Sequence, residues 1–444
     1  MKHRLIYKFT VAICMLFAAP GSHVLAQQPK NIPLPEAIKM SLANSGQIKI
    51  ANFKVAEANA NYHEANDNYL PDLKVTGSYL RLNSPNIDLK IKLGSSSGGA
   101  SKPGAVDQAT YGMLNLSMPV FSGFRIKYGV ESAKYMAQAA KLDVENDRED
   151  VINSTIQAYS NLFKARNSVD MVGENLAREE QRVKDFNNLT KNGLMSRNDL
   201  LKAELQKSNI ELALLDAKNN LKMATVNMNL LLGLPENSEL IPDTSILFNI
   251  GDPGPIVQWE QIALTNRKDA AALAVREKAS ESAIKATKAL YYPGIAVTGG
   301  LIAADVPNLL VINNAMNIGL GLQYNIASIW KTPAKLEQAT ARMHQLQATQ
   351  NILNDGIRLQ VTKAYEDYLL SSKKIEVYAR AIEQANENYR ITKNKHTNSL
   401  ATTTELLEAD VAQLQAMLNF SFSKIDAAVA YFKLQQTAGI LEKK

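Results

Sequence analysis

The chain has 444 residues, with 49 Lys and Arg, 43 Asp and Glu, and a formal net charge of +6. This charge is too small and too evenly spread to indicate a nucleic-acid partner, and a single cysteine, Cys14, excludes a disulfide framework. Only 15 prolines and 22 glycines, with long stretches rich in Ala, Leu, Lys, Glu and Gln, predict a mostly helical chain.

Residues 1–26 have the three parts of a secretory signal peptide. Lys2, Arg4 and Lys8 supply the basic start, an apolar stretch runs from Phe9 to Pro20, and Val24-Leu25-Ala26 supplies the small residues of a cleavage site. We therefore predict a mature chain that starts near Gln27, carries a net charge of +3 and lacks Cys14. No run of about 18 apolar residues follows the signal, so we expect any membrane-spanning segment of the mature chain to be a β-strand.

The mature chain contains a tandem duplication. Ala158-Tyr159 returns as Ala364-Tyr365, 206 residues later, and the same offset relates many other positions. Near the start of each copy the offset is 222 residues, as between Val75-Thr76-Gly77 and Val297-Thr298-Gly299. The 16-residue difference falls in the Gly- and Ser-rich segment from Ser84 to Gln108, which we expect to be a solvent-exposed loop.

The duplication predicts two structural repeats, at 27–234 and 257–440, joined by an irregular linker at 235–256. In the first repeat we expect a helix from about Pro35 to Asn68 with a break at Asn44-Ser45-Gly46, a β-hairpin at 72–121 and a long helical hairpin at 125–232. In the second we expect a helix from about Val257 to Leu290, a β-hairpin at 294–326 and a long helical hairpin at 331–438.

The first helix of each helical hairpin is predicted to be very long. The stretches 125–191 and 331–395 contain almost no Pro or Gly, so each forms a helix of about 65 residues, roughly 100 Å long. Apolar residues recur every seven positions in the second stretch at Val361, Tyr368, Ile375, Ile382 and Tyr389. This period of 3.5 predicts helices that pack lengthwise as coiled coils.

The second helix of each hairpin has a predicted start. Ser196 precedes Asp199 by three residues, and Thr402 precedes Glu405 by three, which is the spacing of a capping box.

Four segments alternate with a period of two, as half-buried strands do. Their apolar faces comprise Leu73, Val75 and Tyr79; Leu114, Leu116 and Met118; Ile295, Val297 and Leu301; and Ile318, Leu320 and Leu322. Two ordinary hairpins on a soluble domain are one interpretation. The length of the flanking helices and the secretion signal favour a membrane β-barrel. Four strands cannot close a barrel, so several copies would have to share one.

These motifs together resemble the TolC-like outer-membrane efflux proteins. The resemblance covers the Leu34 to Ala37 start, the Tyr-Leu-Pro strand entry at Tyr69, the segment Pro119 to Arg125 and the turn Gly193 to Ala203. It implies a mainly α fold with membrane β: a homotrimer whose four strands per chain form a 12-stranded barrel in the outer membrane, continued by a long α-helical barrel in the periplasm. It also implies an exit duct that serves an inner-membrane pump or ABC transporter through a periplasmic adaptor (membrane fusion) protein.

Two sites follow from the resemblance. The turns between paired helices resemble the tips where the adaptor docks; they comprise Gly193, Leu194, Met195, Ser196, Arg197, Ser399, Leu400, Ala401 and Thr402. Simple helix reversal would also explain these turns. Glu405 and Glu408, with Asp199, fall where the family places acidic residues at the constricted end of the pore. Threefold symmetry would turn each into a ring of carboxylates. The capping box is a sufficient alternative explanation for Glu405.

The sequence indicates no catalytic or cofactor site. His63, His344 and His396 have no ligand-like spacing with carboxylates, so we expect no metal. No nucleophile, base and orienting group occur together. The alternative to a channel is a periplasmic coiled-coil scaffold or adaptor-like protein without a pore, which would leave the strand leucines on an exposed surface. The transported substrate is not encoded in any motif.

Overall fold

The protein is described by a computed structural model that covers residues 30–83, 106–243, 251–307 and 309–443. The predicted signal peptide at 1–26 and residues 84–105 of the predicted loop lie outside the described residues.

The first part of the chain contains short and long helices on either side of two strands. In order, the elements are β1 (Lys30–Ile32), α1 (Leu34–Asn44), α2 (Gly46–Asp67), β2 (Asp72–Arg81), β3 (Gln108–Phe121), α3 (Arg125–Lys191) and α4 (Arg197–Leu232). The second part repeats this order with β4 (Leu240–Pro242), α5 (Ile256–Asn266), α6 (Lys268–Lys288), β5 (Gly294–Val306), β6 (Leu310–Gln323), α7 (Ser328–Thr397) and α8 (Thr403–Thr437).

The two long helices α3 and α7 have 67 and 70 residues. Within the described ranges, none of the helices carries an apolar stretch that is long enough to cross a membrane. α7 begins at Ser328, three residues before the predicted Lys331, and contains Pro333. Asn325 explains the earlier start, because its side-chain oxygen accepts a hydrogen bond from the Ala327 amide and its carbonyl accepts one from Ser328.

Two sequence expectations for the short helices had different outcomes. The predicted break at Asn44-Ser45-Gly46 is confirmed, since Ser45 caps α2 and accepts a hydrogen bond from the Ile48 amide. The single helix predicted from Val257 to Leu290 is wrong, because Arg267 is extended and divides it into α5 and α6. Asp269 starts the second helix: its carboxylate accepts hydrogen bonds from the Ala270 amide and from the Arg267 guanidinium.

The linker predicted to be irregular contains a strand. β4 pairs in parallel with β1, with Lys30 opposite Leu240 and Ile32 opposite Pro242. The buried hydroxyl of Tyr159, on α3, lies 2.7 Å from the carbonyl oxygens of both Ile32 and Asp243. Three-residue strands have too little alternation to be detected by pattern, which is why sequence analysis missed this pair.

The chain divides into two compact units, each with its own core. Among the described residues, the first comprises 30–44, 155–243 and 379–425. Its apolar cluster contains Phe186, Leu200, Ala203 and Leu406, with Met195, Val183 and Tyr389 packed against it.

The second unit comprises residues 45–154, 250–378 and 426–444, within the limits of the described residues. Its apolar cluster is built from α5, α6, α7 and α8 and contains Trp259, Ala263, Ala270, Ile357, Val361, Ala364, Leu434 and Ala438.

The second unit also contains a four-stranded antiparallel sheet with the order β2-β3-β5-β6. Its register aligns apolar residues in rows across the strands: Val75 lies opposite Leu114, Leu114 opposite Leu301, and Leu301 opposite Met316. The predicted apolar faces are therefore confirmed as one continuous surface. On β6 this surface is open, with Met316, Ile318, Leu320 and Leu322 all 73 to 86% exposed.

Candidate functional site

The turn between α3 and α4 presents one leucine to solvent. Gly193 has a φ of +72°, a left-handed conformation that closes the end of α3. The next residue, Leu194, is 74% exposed. Met195 turns inward onto the Phe186 and Leu200 cluster, and Arg197 is exposed. The predicted tip is thus a helix reversal with an exposed apolar side chain.

The turn between α7 and α8 repeats this arrangement. Ser399 takes the place of the glycine with a φ of +58°, and Leu400 is 77% exposed. Ala401 is half-buried, and Thr402 precedes the first residue of α8. Duplicated sequence therefore produces two equivalent apolar tips, at Leu194 and Leu400, within the first unit.

Two of the three predicted gate carboxylates are engaged in helix capping. Asp199 accepts a hydrogen bond from the Ser196 hydroxyl at 2.6 Å, and its amide donates to that hydroxyl oxygen at 3.1 Å. The carboxylate of Glu405 accepts hydrogen bonds from the amide of Thr402 at 2.6 Å and from its hydroxyl at 2.9 Å. The Thr402–Glu405 capping box is thereby confirmed. At Ser196 the cap on the Asp199 amide is confirmed, but among the described residues the Asp199 carboxylate accepts from the Ser196 hydroxyl and not from its amide, so the second half of the box is missing. These hydrogen bonds hold the pKa of Asp199 and the pKa of Glu405 below their ordinary values.

Glu408 differs from the other two acids. It is exposed and lines an open cleft of about 640 Å³ between α4 and α8, together with Lys202, Leu205 and Val411. Lys202 occupies the position in the first repeat that Glu408 occupies in the second, 206 residues apart. The Lys202 ammonium donates to the Thr404 hydroxyl at 3.0 Å and lies 4.0 Å from the Asp199 carboxylate. Among the hydrogen bonds and ion pairs of the described residues, none engages Glu408.

A buried polar cluster lies within the same unit, and sequence analysis missed it. Glu179 and Asp410 each have fully buried side chains, and Arg182 is ion-paired with both. Arg182 also donates to the Tyr389 hydroxyl at 3.1 Å, and Asn175 donates to Asp410 at 3.0 Å. The cluster therefore connects α3, α7 and α8. A sequence signal existed: Glu179 lies three residues after Leu176 and four before Val183, on their apolar helix face.

His396 lies near the end of α7. Its ring stacks on Phe186 with a centroid separation of 5.5 Å, and Nε2 is 3.3 Å from the Thr403 hydroxyl. Burial lowers the pKa of His396; Asp199 opposes this shift and Arg182 reinforces it.

None of the groupings of His, Cys, Asp and Glu within the described ranges has the composition and geometry to hold a metal ion.

Comparison with known proteins gives consistent matches over nearly the whole chain. The family model of the outer membrane efflux protein matches residues 37–234 and 259–439. The chain is 22% identical over 446 residues to the outer membrane efflux protein BepC of Brucella suis biovar 1, covering 97% of this chain and 90% of that protein. It is also 22% identical over 346 residues to the alkaline protease secretion protein AprF of Pseudomonas aeruginosa, covering 74% and 69%.

Solved structures with the same fold include outer-membrane channels. CusC aligns with a TM-score of 0.76 at 18% identity, covering 91% of this chain and 92% of its own. The CmeC outer membrane channel of Campylobacter jejuni aligns with a TM-score of 0.75 at 16% identity, covering 92% and 86%. At these identities the likeness concerns the fold: long helices and a four-stranded sheet in two repeats.

Proposed function

The chain belongs to the outer membrane efflux protein family, and we propose that it is the exit duct of a tripartite efflux or type I secretion system, gated at its helical end and docked there to a periplasmic adaptor. Membership of the family makes the chain an outer-membrane channel protein for efflux or secretion, extending into the periplasm, and not an enzyme. The pore-less periplasmic scaffold considered from the sequence is therefore set aside.

The observation that best supports a channel is the four-stranded sheet with two unpaired edges. Within the described residues, β2 and β6 each pair along one edge only, although the sheet has a continuous apolar face. Unpaired strand edges in lipid cost several kcal/mol per backbone group. A second copy that pairs its β2 with this β6 removes the cost, and three copies close a ring of 12 strands. We therefore propose a homotrimer in contact with outer-membrane lipid.

The two tips support adaptor docking. Leu194 and Leu400 are 74% and 77% exposed at the two turns. Two equivalent exposed leucines on one protomer would fit a partner that contacts both turns with the same kind of helical surface. The similarity to AprF, named as a secretion protein, supports secretion as well as efflux, and the inner-membrane partner would be a pump or an ABC transporter.

Glu408 is the acidic residue that we assign to the gate. The carboxylate of Asp199 accepts a hydrogen bond from Ser196 and that of Glu405 accepts one from Thr402, whereas the Glu408 carboxylate is exposed. Three copies around the pore axis would place three such carboxylates in one ring and favour cations.

The channel is tested by reconstituting the detergent-extracted protein in planar bilayers. We expect a trimeric mass and ion conductance with a preference for cations. Glu408→Gln should reduce that preference severalfold, whereas Glu204→Gln, an exposed acid of α4 outside the cleft, should not. Conductance without any effect of Glu408→Gln would refute the gate residue, and the absence of conductance would refute the duct.

The docking surface is tested separately in cells. Leu194→Glu combined with Leu400→Glu should abolish efflux or secretion while leaving trimer mass and conductance intact. Ile50→Glu, at an exposed apolar position of α2, is the matched control and should retain transport. Normal transport by the double variant would show that the adaptor docks elsewhere.

A further inference from the structure

With both acids ionised, the buried cluster of Glu179, Arg182 and Asp410 has a net charge of −1. Two carboxylates face a single guanidinium, and the side chains of Glu179 and Asp410 are 0% exposed. An uncompensated buried charge is strongly unfavourable, and proteins commonly remove it by binding a proton.

Within the described part of the chain, one carboxylate oxygen of the cluster has no hydrogen-bond donor and could therefore carry that proton. Oε1 of Glu179 accepts from Arg182, and both carboxylate oxygens of Asp410 accept hydrogen bonds, from Arg182 and from Asn175. Among the described residues, no donor reaches Oε2 of Glu179, which is buried. The Glu179 and Asp410 carboxyl groups contact the same Arg182 guanidinium, and a side-chain hydrogen bond with Asp410 is among the causes that raise the pKa of Glu179. A hydrogen bond between two carboxyl groups requires a proton on one of them.

We propose that Glu179 and Asp410 bind one proton between them, and that its loss at higher pH weakens the contact of α3 with α8, so that periplasmic pH regulates the helical end of the channel. A proton on Oε2 of Glu179 satisfies the unpaired oxygen and balances the charge in one step. The regulatory part rests on the proposed channel function; the proton site does not.

Electrostatic interactions from the neighbouring elements agree with this assignment. Burial is the main cause that raises the pKa of Glu179 to about 7; Arg182 lowers it, and Asp410 raises it. Tyr389 of α7 faces Arg182. His396 of α7 interacts electrostatically with Arg182 and with Asp199 of α4. Because the pKa of Glu179 is raised above its ordinary 4.5, the contact has its full stability below about pH 4.5 and loses it as pH rises through about 7.

The duplication shows that this cluster is not a general requirement of the fold. At the positions of the second repeat that correspond to Asn175, Glu179 and Arg182, the chain has Ala381, Ala385 and Asn388. The corresponding face of α7 therefore has no ionic side chain at these three positions, so the duplicated pattern does not by itself require the ion cluster that α3 forms with α7 and α8.

Infrared titration of the full-length protein tests the proton directly. We expect a protonated-carboxyl absorption that disappears near neutral pH. Glu179→Gln should remove it, because the amide reproduces the protonated acid, and Asp410→Asn should remove it by leaving a neutral Glu179–Arg182 pair. The exposed neighbour Glu180→Gln is the matched control. All variants carry Glu149→Gln, since Glu149 is a second buried acid. An unchanged absorption in Glu179→Gln would overturn the proposal.

Hydrogen exchange tests the consequence for packing. After correction for intrinsic rates, amides around 175–182 and 406–413 should exchange faster as pH rises from 5 to 7, by up to about tenfold per pH unit for one linked proton. Glu179→Gln should abolish this dependence and Glu180→Gln should retain it. Equal pH dependence in the two variants would contradict the linkage.

Bilayer conductance then separates regulation from the channel itself. Regulation predicts that wild-type conductance changes across the same pH interval and that Glu179→Gln responds less. A conducting channel with the same pH response in Glu179→Gln would overturn the regulatory part alone. A protein that conducts at no pH would overturn the proposed function, while the infrared result would still decide the proton site.

Discussion

At the scale of single residues, Glu149 of α3 predicts how the stability of the second unit depends on pH. Glu149 is only 9% exposed and lines a polar cavity of about 250 Å³ with Asp150, Arg267 and Lys268. Burial and the nearby Glu442 raise its pKa to about 7, while Lys268 opposes the shift. The native state therefore binds more protons than the unfolded state between about pH 4.5 and 7.

We expect stability from Glu149 to be complete below about pH 4.5 and to be lost as pH rises through about 7. Glu149→Gln should flatten this slope and stabilise the second unit at pH 8. The measurement is the denaturation midpoint at several pH values, in a Glu179→Gln background that removes the acid of the first unit whose pKa is also raised to about 7. Glu174→Gln, an exposed acid on the same helix, should leave the slope unchanged; an equal effect of both variants would refute the assignment.

Sequence spacing predicted the capping roles of Asp199 and Glu405 because a capping box is local. The partners of Glu179 could not be predicted in this way. Asp410 lies on another helix, 231 positions further along the chain, and only the packing of α3 against α8 brings the two carboxyl groups together. The sequence shows that Glu179 lies on an apolar helix face, but its partners can be identified only from the packed structure.

At the scale of elements, one side chain reinforces the parallel pairing of β1 with β4. Tyr159→Phe removes the hydroxyl that lies 2.7 Å from the carbonyls of Ile32 and Asp243. The loss should cost about 1 to 2 kcal/mol and speed proteolysis of the segment before α1. Limited proteolysis with mass spectrometry measures this. Tyr378→Phe, on α7, is the control and should be cleaved like the wild type.

The strands of the sheet predict a second element-scale result. Ile318 lies on the apolar face of β6 and is 86% exposed, whereas its neighbour Asn317 lies on the opposite face. A charge on the lipid face costs about 2 to 4 kcal/mol near the bilayer midplane. Ile318→Arg should therefore reduce recovery in the outer-membrane fraction, and Asn317→Arg should be recovered normally. Equal recovery would mean that this face does not contact lipid.

Elements with a sustained period were predictable, and those without one were not. The long helices and the four strands have a period repeated many times, so their type and order followed from the sequence. β1 and β4 have three residues each, and the end of α5 at Arg267 depends on a side-chain contact with Asp269. Neither feature has enough periodic residues to be recognised.

At the scale of the whole molecule, the open sheet predicts which strands meet between copies. Within one copy β2 and β6 are separated by β3 and β5, so Thr76 and Ala315, on the same row, are about 14 Å apart. A disulfide requires Cα atoms within about 7 Å. Cysteines placed in β2 and β6 therefore cannot join within one copy, and every bond between them must be intermolecular.

A panel of cysteine pairs, one position in each of 72–81 and 315–323, should give cross-linked products that end at the trimer on a non-reducing gel. Trimer should be the limiting product, because closing a ring of 12 strands uses every open edge of three copies. Pairs that combine a β2 cysteine with one in β3 serve as the intramolecular control and should migrate as monomers. Products larger than three chains would indicate an open assembly, since a ring that has closed leaves no free β2 or β6 edge to accept a fourth copy.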